Sequence, residues 1–323
     1  MKKNLFIFIL FGIIQIWNTN LFSQEVPQSV DNKGIYEFLD ELANIHIITI
    51  NSVVKPYSRL FISRRLKEAE EKKDQLNQRQ QKELDFYLLD FGKELSIERS
   101  YGGQGAQWLN CKNKRFDLFY YQDSTFSLTI NPILGGEIFT NSSGTATYLR
   151  NGAEARGYIY KWGFYASLRD NHENPLLGLP EYLTQRVDGH LKGSTDWSEM
   201  RGGVTYSWKW GNAGLVKDQL QWGNNYNGAN IFGGNNPTFV QLRLHISPVK
   251  WFDFNYFHGW LNSMVVDSTN SYWVTNSYGT DYREVYHKKF IAANMFTFTP
   301  FKNLNVSAGN SIIYDYDNVN PAY

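Results

Sequence analysis

The six histidines of this chain are scattered. None sits in the His-x-x-x-His spacing that puts two imidazoles on one helical face for zinc. The one cysteine, Cys111, has no second thiol for a disulfide or a Cys-x-x-Cys metal site. No Gly-x-Ser-x-Gly elbow is present. The run RDNHE, Arg169–Glu173, crowds charges and an imidazole closely enough for acid–base work or a cation site. A strand end running into a polar loop explains it more simply. With no base placed beside a serine, the expectation is a chain that is not an enzyme and uses no cofactor or metal.

A different chemistry is better supplied. The stretch QWGNNYNG, residues 221–228, gathers Trp222, Asn224, Asn225 and Tyr226 with no formal charge. Aromatic faces stack on the apolar faces of sugar rings, and amides answer their hydroxyls; a few fixed polar groups among aromatic anchors describe small-ligand sites in general. Asn235–Asn236 and Tyr256–Trp260 offer similar groups. Arg169 and Arg243 add charge, and Trp260 adds a further ring. Each has a plainer explanation. Trp and Tyr near strand ends anchor a membrane interface. Asn-Gly clusters make turns. Arg156, Arg169, Arg201 and Arg243 can pair across strands with Asp170, Glu154 or Glu199.

The elements that position these residues come in two blocks. Met1-Lys2-Lys3 precedes an apolar run over Leu5–Ile16, the layout of a secretory signal. The run falls short of the roughly 20 residues of a spanning helix. Cleavage after Ser23 makes residues 1–23 the signal. Losing it removes Lys2 and Lys3 from 32 basic residues, against 31 acidic ones. The remainder is near neutral, with no broad basic surface for nucleic acid.

Residues 24–98 read as helical. Ile35, Phe38, Leu39 and Leu42 recur at helical spacing behind Asp31 and Asn32. Ser58 caps a second helix with Ile62, Leu66 and Ala69 on one face. Leu84, Leu88, Phe91 and Leu95 mark a third.

Across 99–323 the period becomes two. Phe126, Leu128 and Ile130 alternate with Thr125, Ser127 and Thr129. Tyr158 to Leu168 reads as one alternating run, with Lys161 and Arg169 on its polar side. Val204 to Trp210 alternates with Lys209, and Val240 to Ile246 with Arg243. Further strands fit 252–260, 288–299 and 303–315. Aromatics make 16% of the chain while its mean hydropathy is −0.45. Long strands with one apolar and one charged face suit a wall with lipid outside and water inside better than an extracellular sandwich. The fold class expected is mainly β: an antiparallel transmembrane β-barrel with an N-terminal α-helical region. Roughly ten strands follow Arg115, and the turn-like ending NVNPAY points to a longer barrel cut short at Tyr323.

In order, the signal, YEFLDELA, VKPYSRLFISRRLKEA, GYIYKWGFYASLRDNHE, KDQLQWGNNYNGANIFGG and SPVKWFDFNYFHGWLNS resemble the capsule-assembly Wzi family of Gram-negative outer membranes. The resemblance spans most of the mature chain. It implies a large outer-membrane barrel with a helical bundle on its periplasmic side. It also implies a lectin-like, non-catalytic role holding capsular or exopolysaccharide at the cell surface, with outer-membrane lipid around the wall and no known protein partner. The alternatives are a porin-like transport channel and, less favoured, an outer-membrane hydrolase.

Overall fold

The computed structural model describes residues 25–99, 105–110, 117–123, 125–174, 196–223, 229, 231–233, 236–277, 279–301 and 304–315. The signal segment lies outside these residues. Three helices come first: α1 Lys33–Asn44, α2 Arg59–Glu70 and α3 Gln78–Arg99. Ser58 caps α2 as expected, its hydroxyl accepting from the Phe61 amide at 3.1 Å. Asn32 occupies the cap position of α1 but makes no side-chain cap bond. Ile35, Phe38, Leu39, Leu42, Ile62, Leu66, Leu84 and Phe91 are buried together, so the three apolar stripes share one small core. Between α1 and α2 lies the short strand β1, Val54–Lys55.

The rest of the described chain is strand. In order these are β2 Gly105–Asn110, β3 Asp117–Gln122, β4 Phe126–Asn141, β5 Gly144–Ile159, β6 Trp162–Asn174, β7 Asp196–Trp208 and β8 Gly211–Asp218. Then come β9 Gln221–Trp222, β10 Phe239–Val249, β11 Phe252–Val266, β12 Tyr272–Asn276, β13 Gly279–Arg283, β14 Tyr286–Phe301 and β15 Leu304–Asp315. Eleven of them form one antiparallel sheet in chain order, interrupted by β9, which pairs with β1, and by the hairpin β12–β13. Among the described residues β2 and β15 are the two ends of the sheet and do not pair with each other, so the wall does not close. The mainly β, antiparallel barrel-type class with an N-terminal helical region is the one observed.

Face chemistry follows the pleat, in which successive side chains point to opposite sides. On β6, Trp162, Phe164, Ala166 and Leu168 face outward and are exposed, while Gly163, Tyr165 and Asn171 face inward and are buried. On β10, Val240 and Leu242 face outward and Gln241 inward. Leu134 on β4 is 77% exposed. An apolar outer face over a polar inner one inverts a water-soluble sandwich and matches a membrane wall. On β11 the outward residues from Phe252 to Trp260 span the roughly 9–11 residues that a tilted strand needs to cross a bilayer.

Aromatics ring the outer face near the short turns. Trp162 meets Tyr206 at 5.0 Å, Trp208 meets Trp210 at 5.4 Å, and Phe252 meets Phe298 at 5.4 Å. A second outward cluster of Trp260, His258, Phe290 and Tyr314 sits near the other end of the band. Two such belts are what membrane barrels carry at their interfaces.

Two expected strands were drawn too long. The run from Tyr158 to Leu168 turns at Tyr160–Lys161, and the run from Val204 to Trp210 turns at Lys209–Trp210. Lys161 and Lys209 therefore sit in hairpin turns and not on the inner face. Aromatic residues continue through both turns, so alternation alone hid them. Tyr160 takes a positive φ of 50°, as tight hairpin turns require.

The two poles of the wall differ. Connections of two or three residues join β3–β4, β5–β6, β7–β8, β10–β11 and β14–β15 at one pole. At the other, β4–β5 is also a two-residue turn, but β6–β7, β8–β10 and β11–β14 are joined by long segments. The helical segment packs on the inner face near the short-turn pole. Asn51 donates to the Lys250 carbonyl at 3.3 Å, Asn305 to the Ile50 carbonyl at 3.1 Å, and Thr205 to the Glu25 carbonyl at 2.5 Å. A Cβ added at Gly163 would meet Thr205 Oγ1 at 2.7 Å and Val26 at 3.1 Å, so the segment lies directly against β6 there.

Candidate functional site

The inner face carries the polar chemistry, and the helical segment covers part of it in two different ways. On β3–β5 the contact is ionic. Arg59 on α2 donates to Glu94 at 2.5 Å and to Asp90 at 3.2 Å, both on α3. Arg156 on β5 approaches the same two carboxylates at 3.7 Å. Lys93 on α3 pairs with Asp117 on β3, and Asn131 bonds that carboxylate at 3.2 Å. All these charged side chains are buried. Burial by itself lowers the Arg59 guanidinium, but the charges of Asp90 and Glu94 outweigh it and hold the group above its usual value. At Lys93 burial wins: with Arg156 adding repulsion, it pulls the ammonium below its usual value despite Asp117.

On β8–β14 the contact is apolar. The connection after β8 folds into the lumen, where β9 pairs with β1, Val54 opposite Trp222. Trp222 is 1% exposed and meets Phe257 of β11 edge-on at 5.2 Å. Leu220, Ile291, Ala293 and Met295 complete the cluster. Gly223 has φ +104° and its amide donates to the Val53 carbonyl at 2.9 Å. A side chain is strained in that conformation, so the glycine permits the bend.

A cavity borders each seam. One, of about 530 Å³, lies between residues 51–65 and the inner face of β7–β11 and is lined by Arg243 and Trp222 among others. The other, of about 510 Å³, lies between residues 26–32 and β4–β7 and is lined by Arg169, Glu199 and Asp31. Both fall in the roughly 300–1,000 Å³ range of small-ligand sites.

The expected site residues are not gathered in one place. Trp222 and Arg243 border the first cavity and Arg169 the second. Trp222 points inward but is packed, so its ring faces are covered. Arg243 donates to Gln241 at 3.1 Å and to the Gln219 carbonyl at 3.3 Å. Trp260 lies on the outer face, 43% exposed and edge-on to His258 at 5.3 Å. Its even place on β11 sets it outside, so it has no access to a lumenal ligand. Asn224, Asn225, Tyr226 and Asn235 lie outside the described residues.

Cross-strand ion pairs form as the spacing allowed, with some changes of partner. Arg169 on β6 pairs with Glu199, opposite on β7, and with Asp31 at 2.9 Å. Arg201 grips Asp218 at 2.7 Å. Asp170 has outward register and belongs to neither pair. Arg156 reaches Glu154 within its own strand at 3.6 Å. RDNHE splits across the pleat, with Arg169, Asn171 and Glu173 inside and Asp170 and His172 outside. Among the described residues no group of three His, Cys, Asp or Glu side chains is placed to hold a metal.

Sequence reasoning missed a stacked pair farther along the same inner face. Tyr148 on β5 lies parallel to Trp197 on β7, with centroids 6.0 Å apart, and its hydroxyl donates to Asn171 at 2.6 Å. Arg150 lies 5.9 Å from the Tyr148 ring. The inward register of Trp197, Glu199 and Arg201 on alternate positions was the available signal.

No family model matches the chain, and no curated protein matches it. Among solved structures it is similar to a "TodX deltaS2S3 mutant monoaromatic hydrocarbon channel" at 12% identity. That similarity covers 64% of this chain and 68% of that one, with a TM-score of 0.28. A score that low bears no weight for fold or function, which rest on the wall and its seams.

Proposed function

We propose that the chain is an exported outer-membrane barrel protein that holds capsular or exopolysaccharide at the cell surface without transforming it. The reading takes its ligand class from the resemblance to the Wzi family. On this reading the apolar outer face meets lipid, and the short turns and helical segment lie on the periplasmic side, as turns do in such barrels. The observation that supports it most is the helical segment bonded into the lumen at two seams, one ionic and one apolar. A segment held that firmly suits a holder better than an open pore. Deleting the gene and measuring the split between cell-bound and released polysaccharide tests it. Release is the expected result. Unchanged retention, with no glycan binding by the purified protein, overturns it. Incubation of protein with polysaccharide should leave chain length unaltered.

A porin-like channel is the second reading. It is favoured by the two cavities that flank the helical segment on a polar inner face. Planar-bilayer recording separates the two: free ion flow through the full-length protein supports the channel, and closure supports the holder.

A further inference from the structure

We propose that the short-turn pole of the wall carries a binding rim for anionic phospholipid headgroups, built from a Lys-Trp pair repeated at three hairpin turns. The inference rests on the lipid-facing reading of the outer face and is independent of the polysaccharide reading.

The repeat is plain in the chain. Lys161-Trp162, Lys209-Trp210 and Lys250-Trp251 fall at the β5–β6, β7–β8 and β10–β11 connections. Lys302 stands in the β14–β15 connection, outside the described residues. The two-residue turn at the opposite pole, between β4 and β5, is Ser142–Ser143 and carries no charge. Tight turns favour Gly, Asn, Asp and Ser, so turn chemistry does not call for lysine and tryptophan.

The tryptophans belong to the outer belt. Trp162, Trp210 and Trp251 are all exposed. They meet Tyr206, Trp208 and Phe298, whose register is outward, with Trp251 lying parallel to Phe298 at 6.4 Å. An indole keeps its apolar body among acyl chains and its polar edge at the headgroups. A neighbouring lysine can reach past it to the phosphate.

Charge selects the headgroup. Lys209 and Lys250 are exposed and Lys161 half-buried, and among the described residues none of the three forms an ion pair. Asp253, close to Lys250 in the chain, faces inward and bonds His245 at 2.6 Å. Asp123, in the β3–β4 turn, is held by the amides of Thr125 and Phe126. An ammonium carries three donors and no acceptor, which suits a phosphate approached from varied directions. A zwitterionic headgroup offers the same phosphate, but its own cation offsets the attraction; an anionic one keeps it. Lys209 and Lys250 also border the first cavity, which makes a free anion the rival occupant. Lys161, Trp162 and Trp251 do not line it, and they repeat the pattern along the lipid-facing belt.

The test is spin-label electron paramagnetic resonance on the full-length protein in phosphatidylcholine vesicles. The vesicles carry a trace of spin-labelled phosphatidylglycerol or of spin-labelled phosphatidylcholine. At low salt the wild type should immobilise the anionic label about tenfold more strongly, and molar salt should remove most of that preference. The triple variant Lys161→Gln, Lys209→Gln, Lys250→Gln should immobilise both labels alike. Unaltered heat-modifiable migration would show that it folds. Lys33→Gln with Lys82→Gln removes exposed charge from the helical segment instead and should leave the preference intact. A preference that survives in the folded triple variant overturns the rim, as does one that falls equally in the helical-segment variant. Displacement of the anionic label by millimolar inorganic phosphate at constant ionic strength would assign the lysines to a free anion and overturn the lipid assignment. If the wild type immobilises both labels alike, the rim alone falls. If it immobilises neither, the lipid-facing reading falls with it.

Discussion

The two seams between the helical segment and the wall do the same job with opposite chemistry. At β3–β5 the contact is made by Asp90, Lys93 and Glu94 of α3 with Asp117 and Arg156 of the wall, all buried. At β8–β14 it is made by Val53 and Val54 packed on Trp222, Phe257, Ile291 and Met295. Buried ion pairs are weak sources of net stability but strongly directional, because removing one partner strands the other. Apolar packing is roughly proportional to area and tolerates small shifts. The ionic seam thus fixes orientation, while the dry seam supplies the larger net attraction.

The largest expected effect comes from breaking the ionic seam on one side. Lys93→Ala takes the buried ammonium from the helical side and leaves the buried carboxylate of Asp117 on β3 with the Asn131 amide. A cost of about 3–5 kcal/mol is expected for stranding such charges. Limited proteolysis should then cut within residues 25–99 while the strands stay protected. If the helical segment stays as resistant as in wild type, the seam does not hold it.

Trp222→Ala breaks the other seam. Removing a buried tryptophan costs about 3–5 kcal/mol in comparable cores, here from the packing against Phe257 and the β1–β9 pair. The loss should be insensitive to salt. Because the two seams share no residues, the double variant should be additive within about 0.5 kcal/mol. A large coupling energy would mean that the helical segment moves as one body whichever side is freed. The same variant answers whether this tryptophan serves ligand or fold. With its ring covered, stability should fall more than glycan retention.

The contrast also explains what was legible beforehand. Alternation exposed the strands because their outer faces are consistently apolar, and the three helices were plain from Leu39, Leu66 and Leu84 at helical spacing. The dry seam broke the rule. On β14 Ile291, Ala293 and Met295 face inward while Phe296 and Phe298 face outward, so both faces are apolar and the inside could not be told from the outside. The ionic seam was hidden for another reason. Lys93 and Glu94 look like an ordinary solvated helix face, and only the fold brings Asp117 and Arg156 onto them. Arg169 was found because it sits on a strand whose alternation is clean. Its partner Asp31 was not, since 138 residues separate the two.

A control on the outer face sharpens the comparison. Leu242 on β10 is exposed and outward, opposite Leu215. Leu242→Arg puts a charge in lipid if the wall spans a membrane, which costs roughly 2–4 kcal/mol near the midplane. It touches neither seam, so folding into vesicles should suffer while protection of residues 25–99 in the folded fraction does not. Equal folding yields for the variant and wild type in vesicles would remove the lipid-facing assignment.

The smallest effect lies at the turn between β3 and β4, next to the ionic seam but open to water. Asp123 accepts from the amides of Thr125 and Phe126, both at 2.7 Å, and from the Tyr121 hydroxyl at 2.9 Å. Those bonds favour the carboxylate and bring its pKa from 3.8 down to about 2. The folded value lies below the unfolded one, so the stabilisation is fully present above about pH 4 and is lost as the pH falls toward 2. The group is solvent-exposed, so the change should be local to the turn. The carbon-13 shift of the Asp123 carboxyl should titrate near 2, and Asp123→Asn should abolish the pH response of the turn amides. A midpoint near 3.8 would mean that the amide bonds are not kept in solution.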